Sequence, residues 1–278
     1  MRYAIRLAVL TLLAASPLHA QRNRGGMTDT TEWLDDCRDG EHRWNDDDRT
    51  RARGCEVRRS AIAAPTGHVS IDAGQNGGIR VIGGSADSMI VVALIATSAS
   101  TGDEAIALAR QVRIEVTPTS VRATGPGTDG DRHWYVSFDV VLPRGADVSA
   151  TTHNGGVYLQ GLNGHVEASA VNGPLSVYEM AGDVSGRTQN GPINAELRGA
   201  KWEGAGLDLQ TTNGPVVLDI ASGYNAHLET GTVNGPMRID FPVTIQGRIS
   251  KRFSVDLGKG GPTVRAITTN GPVVVRKL

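Results

Sequence analysis

Aromatic residues are scarce: three Phe, four Trp and five Tyr serve 278 residues. So few rings leave little material for base-stacking platforms, and a formal net charge of −1 supplies no basic field to hold a nucleic acid. After the first twenty residues no apolar run approaches the roughly 18 residues that span a bilayer as a helix, so no transmembrane segment is expected. Also missing are the G-x-S-x-G, H-E-x-x-H and P-loop signatures, and the histidines at 42, 68, 133, 153, 165 and 227 are scattered without ligand spacing. No catalytic or metal constellation follows, and no cofactor is expected. What abounds is glycine, 35 residues or about one in eight, with no Gly-X-Y period. That excess belongs to a fold of many tight turns and excludes collagen and long helices, so an all-β protein is expected.

Residues 1–20 carry a basic start (Arg2, Arg6), an apolar run from Leu7 to Ala15, Pro17 and a small residue at Ala20. This is the order of a secretory signal peptide. The chain beyond it is expected outside the cytoplasm: periplasmic, on the cell surface or extracellular. The next segment, 21–60, holds nine Arg and ten Asp or Glu in forty residues, which leaves too little apolar content for a core of its own. Cys37 and Cys55 bracket part of it, and an oxidising compartment favours their pairing as a disulfide. Asp46, Asp47 and Asp48 lack the alternating spacing and glycine of a calcium loop and read as solvated charge.

From 61 to 145 the pattern turns to apolar alternation broken by glycine. His68–Ala73, Gly78–Ile82, Ser88–Thr97, Val112–Thr117 and Trp134–Leu142 read as strands. Capping types and acids at Ser100–Glu104 precede Ala105–Ala109, which predicts one short helix near 102–111. Gly125-Pro126-Gly127-Thr128-Asp129-Gly130 spells G-x-G-x-x-G, yet the residues after it read as a strand, so a hairpin turn is expected rather than a dinucleotide site.

The region 146–278 is organised by a repeat. Asn-Gly, usually followed by Pro, occurs eight times, at Asn76, Asn154, Asn163, Asn172, Asn190, Asn213, Asn234 and Asn270. Steps of nine, nine and eighteen residues from Asn154 to Asn190 imply a nine-residue half-turn; later steps of 23, 21 and 36 stay in phase with insertions near 199–206, 221–224 and 242–262. Three and five residues after each Asn the side chain is apolar, as in Leu175/Val177, Ile193/Ala195, Val216/Leu218 and Val273/Val275, which is the period of a strand. Two, four and six residues before, a second strand shows its small or apolar side, as in Leu207/Leu209/Thr211.

One coil is then strand, glycine corner, strand, Asn-Gly corner in about eighteen residues, and only stacked coils bury their inner faces. The expected fold is an all-β solenoid of such coils, with a β-rich N-terminal part carrying the helix. Asn tolerates positive φ, Gly fits where a Cβ would not, and Pro fixes φ as the next strand begins. Asn154, Asn172, Asn190, Asn213, Asn234 and Asn270 are expected to stack as a hydrogen-bonded corner ladder. The final strand, Pro272–Leu278, is expected at an open edge guarded by Arg276 and Lys277. Six residues after their Asn, Glu196, Asp219 and Asp240 are expected to stack outward as an acidic column, balanced by Arg198, Arg238, water or a cation such as calcium.

The chain resembles the bacterial putative adhesin domain family of β-strand repeats, a domain of unknown function. The likeness rests on Cys55-Glu56 leading into a strand, Gly67–Gly83, Trp134 through Pro143-Arg144-Gly145, and Thr-x-Asn-Gly-Pro at 211–215 and 268–272. It implies an exported, solenoid-like, non-enzymatic protein, an adhesin or envelope-surface scaffold whose partner is a surface polysaccharide or an envelope protein. Two other readings stand beside it. One is a polysaccharide-active β-helix enzyme using Arg187, Arg198, Trp202, Arg238 and Glu196; the other is an accessory to envelope-stress signalling.

Overall fold

The computed structural model describes residues 27–39, 51–85, 87–128, 130–240 and 251–278. The signal-peptide segment and Asp46–Asp48 lie outside them. Over the described residues the fold is all-β: twenty strands form two ten-stranded mixed sheets, accompanied by two short helices, all numbered in chain order. The first sheet runs, in spatial order, β1 (Ala52–Ala63), β4 (Ser88–Ala99), β7 (His133–Pro143), β3 (Ile79–Gly84), β9 (Val157–Gln160), β11 (Leu175–Tyr178), β13 (Ile193–Leu197), β15 (Val216–Ile220), β20 (Val273–Lys277) and β17 (Met237–Asp240). The second runs β18 (Arg252–Leu257), β16 (Ala226–Asn234), β19 (Thr263–Asn270), β14 (Gly206–Asn213), β12 (Asp183–Asn190), β10 (His165–Asn172), β8 (Val148–Thr152), β2 (Val69–Asp72), β6 (Ser120–Thr124) and β5 (Arg113–Thr117).

Period-two alternation explains the core. Leu159, Leu175, Ile193 and Val216 of the first sheet and Val148, Val166, Leu207 and Val264 of the second are buried in one cluster running from Val69 to Val275. Each such side chain contributes about 1.5–3 kcal/mol by leaving water. No boundary at residue 145 divides this core, and residue 60 lies inside β1, which pairs along its whole length with β4.

Except at Asn163, the Asn-Gly corners join a strand of the second sheet to a strand of the first. At each corner, backbones of neighbouring units touch: a Cβ on Gly191 would lie 1.9 Å from the Gly173 carbonyl oxygen, and one on Gly173 would lie 2.0 Å from that of Gly155. Positive φ is not the reason for these glycines, since neither they nor the corner asparagines adopt it. Close approach is. Behind the corner, the buried hydroxyls of Thr188, Thr211 and Thr268 donate to the carbonyls of Gly173, Gly191 and Gly214 at 2.8–2.9 Å. The following Pro, lacking an N–H, starts the strand and offers its carbonyl to the neighbouring unit, as Pro192 does to the Leu175 N–H at 2.9 Å.

Space order departs from chain order at the end. The last two strands do not form an edge: β20 lies between β15 and β17, and β19 lies between β14 and β16. The expected open edge at Pro272–Leu278 is therefore corrected; among the described residues β17 and β18 bound the sheets there, and β18 occupies part of the segment expected to be an insertion. Gly125–Gly130 is likewise no hairpin. It carries the chain from β6 in the second sheet to β7 in the first, with Trp134 Nε1 donating to the Pro126 carbonyl at 2.8 Å.

Helix α1 (Thr30–Asp39) packs Trp33 and Cys37 on Val92, Leu94 and Ala96, covering one end of the first sheet's outward face. The Cys37–Cys55 disulfide ties it to β1. Helix α2 (Gly102–Gln111) begins with a capping box between Thr101 and Glu104 and buries Ala105, Leu108 and Ala109.

Two outcomes follow. Gly191→Ala should destabilise the protein by more than about 3 kcal/mol in denaturant titration, because backbone rather than a flexible side chain must move. Asn190→Ala, at an exposed site where water can replace the lost bonds, should cost only about 1–2 kcal/mol. Equal losses would show that the corner is not close-packed. Reduction of Cys37–Cys55, a closed loop worth about 3 kcal/mol in the chain-entropy model, should expose 27–60 to protease while the repeat core stays resistant; early cleavage beyond residue 146 would contradict this.

Candidate functional site

Residues four and six after each corner Asn face outward on the first sheet, so their side chains form columns across parallel strands about 4.8 Å apart. Arg80 on β3 sits with its guanidinium carbon 4.6 Å from the ring centroid of Tyr158 on β9. The Tyr158 ring is in turn 5.2 Å from Tyr178 on β11, tilted by 34°. The Tyr158 hydroxyl donates to Gln160 at 2.8 Å, and the Gln160 amide donates to Glu179 at 3.3 Å. Arg198 bridges Glu179, at 3.7 Å, and Glu196.

Glu179 is the one non-glycine residue among those described with a left-handed backbone, φ 52°. Such a conformation costs about 1 kcal/mol or more and persists where its surroundings hold it. Here Gln160 and Arg198 hold its carboxylate. The Glu196 side chain is only 4% exposed and is paired with Arg198. The result is a shelf of two aromatic rings, two guanidinium groups, two carboxylates and an amide, presented by four neighbouring strands. Rings and paired planar polar groups of this kind can stack on and hydrogen-bond a polyhydroxylated chain.

The acidic column is arranged differently from the expectation. Glu196 pairs in register with Asp219, but Arg276 separates Asp219 from Asp240. Its guanidinium grips Asp219 through two bonds of 2.8 and 3.0 Å. The compensating cation is thus Arg276, while Arg198 serves Glu196 and Arg238 serves Asp240. Arg276 stands six residues after Asn270, the same offset as the acids; the spacing was visible, the spatial order was not. Among the described residues no group of three or more His, Cys, Asp or Glu is placed to hold a metal ion.

The corner asparagines form a chain of side-chain amide bonds of 2.8–2.9 Å: Asn154 donates to Asn76, Asn172 to Asn154, Asn190 to Asn172, Asn213 to Asn190, Asn270 to Asn213 and Asn234 to Asn270. Asn163 lies apart, at the opposite corner. The five residues of the enzymatic reading do not share a face. Arg187 is on the second sheet, Trp202 is buried with its N–H donated to Gly182, and Arg198, Glu196 and Arg238 are on the first.

The second sheet's outward face carries a shallow depression of about 280 Å³ lined by Ser149, Thr151, Glu167, Ser169, Ser185 and Arg187. Beside it His165 lies 3.0 Å from Asp183 and 3.3 Å from Glu167, and these two acceptors raise its pKa above the ordinary histidine value. Farther along, Ser254 Oγ is 3.0 Å from His227 Nε2, whose Nδ1 is 2.7 Å from Asp256. With the Asp256 side chain 67% exposed, water screens its charge at this array.

No family model matches the chain. No curated protein matches it either. Among solved structures it is similar to a "putative cell adhesion protein" from Clostridium sporogenes, at 9% identity and TM-score 0.45, over 81% of this chain and 100% of that one. It is also similar to a "putative adhesin" from Bacteroides fragilis, at 12% identity and TM-score 0.31, over 80% and 97%. A "putative lipid binding protein" from Parabacteroides distasonis is similar at 9% identity and TM-score 0.27, over 80% and 97%.

A raised folded-state pKa means that His165 stabilises the fold fully below its unfolded value of about 6.5, and that this stabilisation is lost as pH rises through the higher folded value. Melting curves between about pH 6 and 8 should therefore fall more steeply for the native protein than for His165→Gln. Parallel curves would remove His165 from the account.

Proposed function

We propose that this protein is an exported, non-enzymatic scaffold of adhesin type, built as a β-solenoid of two-strand coils, whose first sheet binds a surface polysaccharide. The observation that carries the reading is the Arg80–Tyr158–Tyr178 shelf with its Gln160, Glu179, Glu196 and Arg198 rim, spread over four adjacent strands. A regular outward face offers aromatic and polar groups at successive strand spacings over four strands, which suits a polymer better than a small molecule. The Cys37–Cys55 disulfide supports an oxidising compartment outside the cytoplasm. Parallel register through the corner units supports the solenoid reading. Among the described residues no helix is long and apolar enough to cross a membrane.

The test is binding of labelled cell-wall and capsular polysaccharides to the purified protein. Tyr158→Ala with Tyr178→Ala should weaken binding at least about tenfold, equivalent to 1.4 kcal/mol, while the melting temperature changes little. Binding that survives the double substitution would move the site elsewhere, and release of shortened sugars from the polymer would overturn the non-enzymatic reading.

A further inference from the structure

The unit formed by β19, its Asn-Gly corner and β20 occupies a slot between two units that precede it in the chain. On one side it meets β14 and β15, on the other β16 and β17, with Asn270 in register with both Asn213 and Asn234. Nothing in the corner chemistry requires this order. Thr211, Asn213 and Gly214 match Thr232, Asn234 and Gly235 position for position, and these two units could equally stack on each other.

Charge decides. Five residues before the corner Asn, β14 carries Asp208 and β16 carries Glu229; six after it, β15 carries Asp219 and β17 carries Asp240. Stacking in chain order would set like charges side by side on both outward faces, about 4.8 Å apart. At those two positions every other unit, from Asn76 to Asn234, is neutral or acidic, and only the last is basic, with Arg265 and Arg276. Seated in the slot, Arg265 lies 2.6 Å from Asp208 and 3.8 Å from Glu229. Arg276 binds Asp219 through both nitrogens and stands in register with Asp240 on its other side. The slot is thus an acid-lined receptor for a Thr-x-Asn-Gly-Pro segment flanked by two arginines.

We propose that this slot is an interaction surface for a second copy of the chain, which docks by exchanging its β19–β20 unit for the resident one. Every contact that the unit itself makes within one chain is available between two, so reciprocal exchange keeps its strand pairings and ion pairs; the cost falls on the 258–262 connection, where the Lys259 N–H donates to Asn225 and the Gly260 N–H to Leu257. Apart from that connection, what favours the resident unit is its high effective concentration, in the range of about millimolar for a short tether. A crowded surface lowers that advantage.

Two variants test the exchange. One carries Arg265→Glu and Arg276→Glu; the other carries Asp208→Lys, Glu229→Lys, Asp219→Lys and Asp240→Lys. Each alone repels its own unit, whereas refolded together each slot meets a unit of opposite charge. The mixture should yield at least about tenfold more dimer than either variant alone, with the melting midpoint recovering toward that of the native protein. A chain carrying all six substitutions serves as the folding control and should be monomeric. If that control folds and the mixed variants stay apart, the proposal is overturned. Native chains with two different dyes, refolded together at several hundred micromolar, provide a readout that needs no variant: energy transfer that rises with concentration supports exchange, and its absence overturns it.

Discussion

The contact on which the rest depends is the approach of one Asn-Gly corner to the next. Each corner glycine lies so close to its neighbour's carbonyl that no Cβ fits, and the side-chain amides of the paired asparagines close the gap from outside. That contact sets strand spacing on both sheets at once, because each corner belongs to a strand of each. Register follows from it. With the corner pinned, Thr188, Leu175 and Ile193 fall inward and Tyr178 and Glu196 fall outward, since a slip of one residue would turn every side chain to the wrong face.

A repeat held by identical corners has no intrinsic order, so the outward residues must supply it. Positions free of packing constraints carry aromatic rings near α1, then carboxylates, then the two arginines of the last unit. The rings make the shelf on which the polysaccharide reading rests. The charges place the last unit between two acidic ones. The ring-bearing shelf and the order of the units are thus written on the same outward columns, while the inner columns carry only volume and shape.

Most of the inner pattern was legible in the sequence, because period two and the recurring Asn-Gly report directly on backbone geometry. The all-β class, the disulfide and the resemblance to adhesin-type repeats followed from those signals and from two cysteines. Less legible was β1, whose Arg53, Arg58 and Arg59 gave it the look of a solvated segment; Arg58 in fact pairs with Glu56 at 2.8 Å and reaches back to the end of α2. The shelf was missed because Tyr158 and Tyr178 lie twenty residues apart, at different offsets from their corner Asn, and meet only through strand stacking. The insertion of the last unit was hidden for a different reason. Corners of one type can be stacked in any order, and the signal that distinguishes them, arginine where neighbours carry acids, becomes readable only once the alternatives are compared in pairs.

Nuclear Overhauser contacts among the side-chain amides of the corner asparagines test this order most directly. Cross-peaks are expected from Asn213 to Asn270 and from Asn270 to Asn234, and none from Asn213 to Asn234. A direct Asn213–Asn234 contact in the folded monomer would contradict that order.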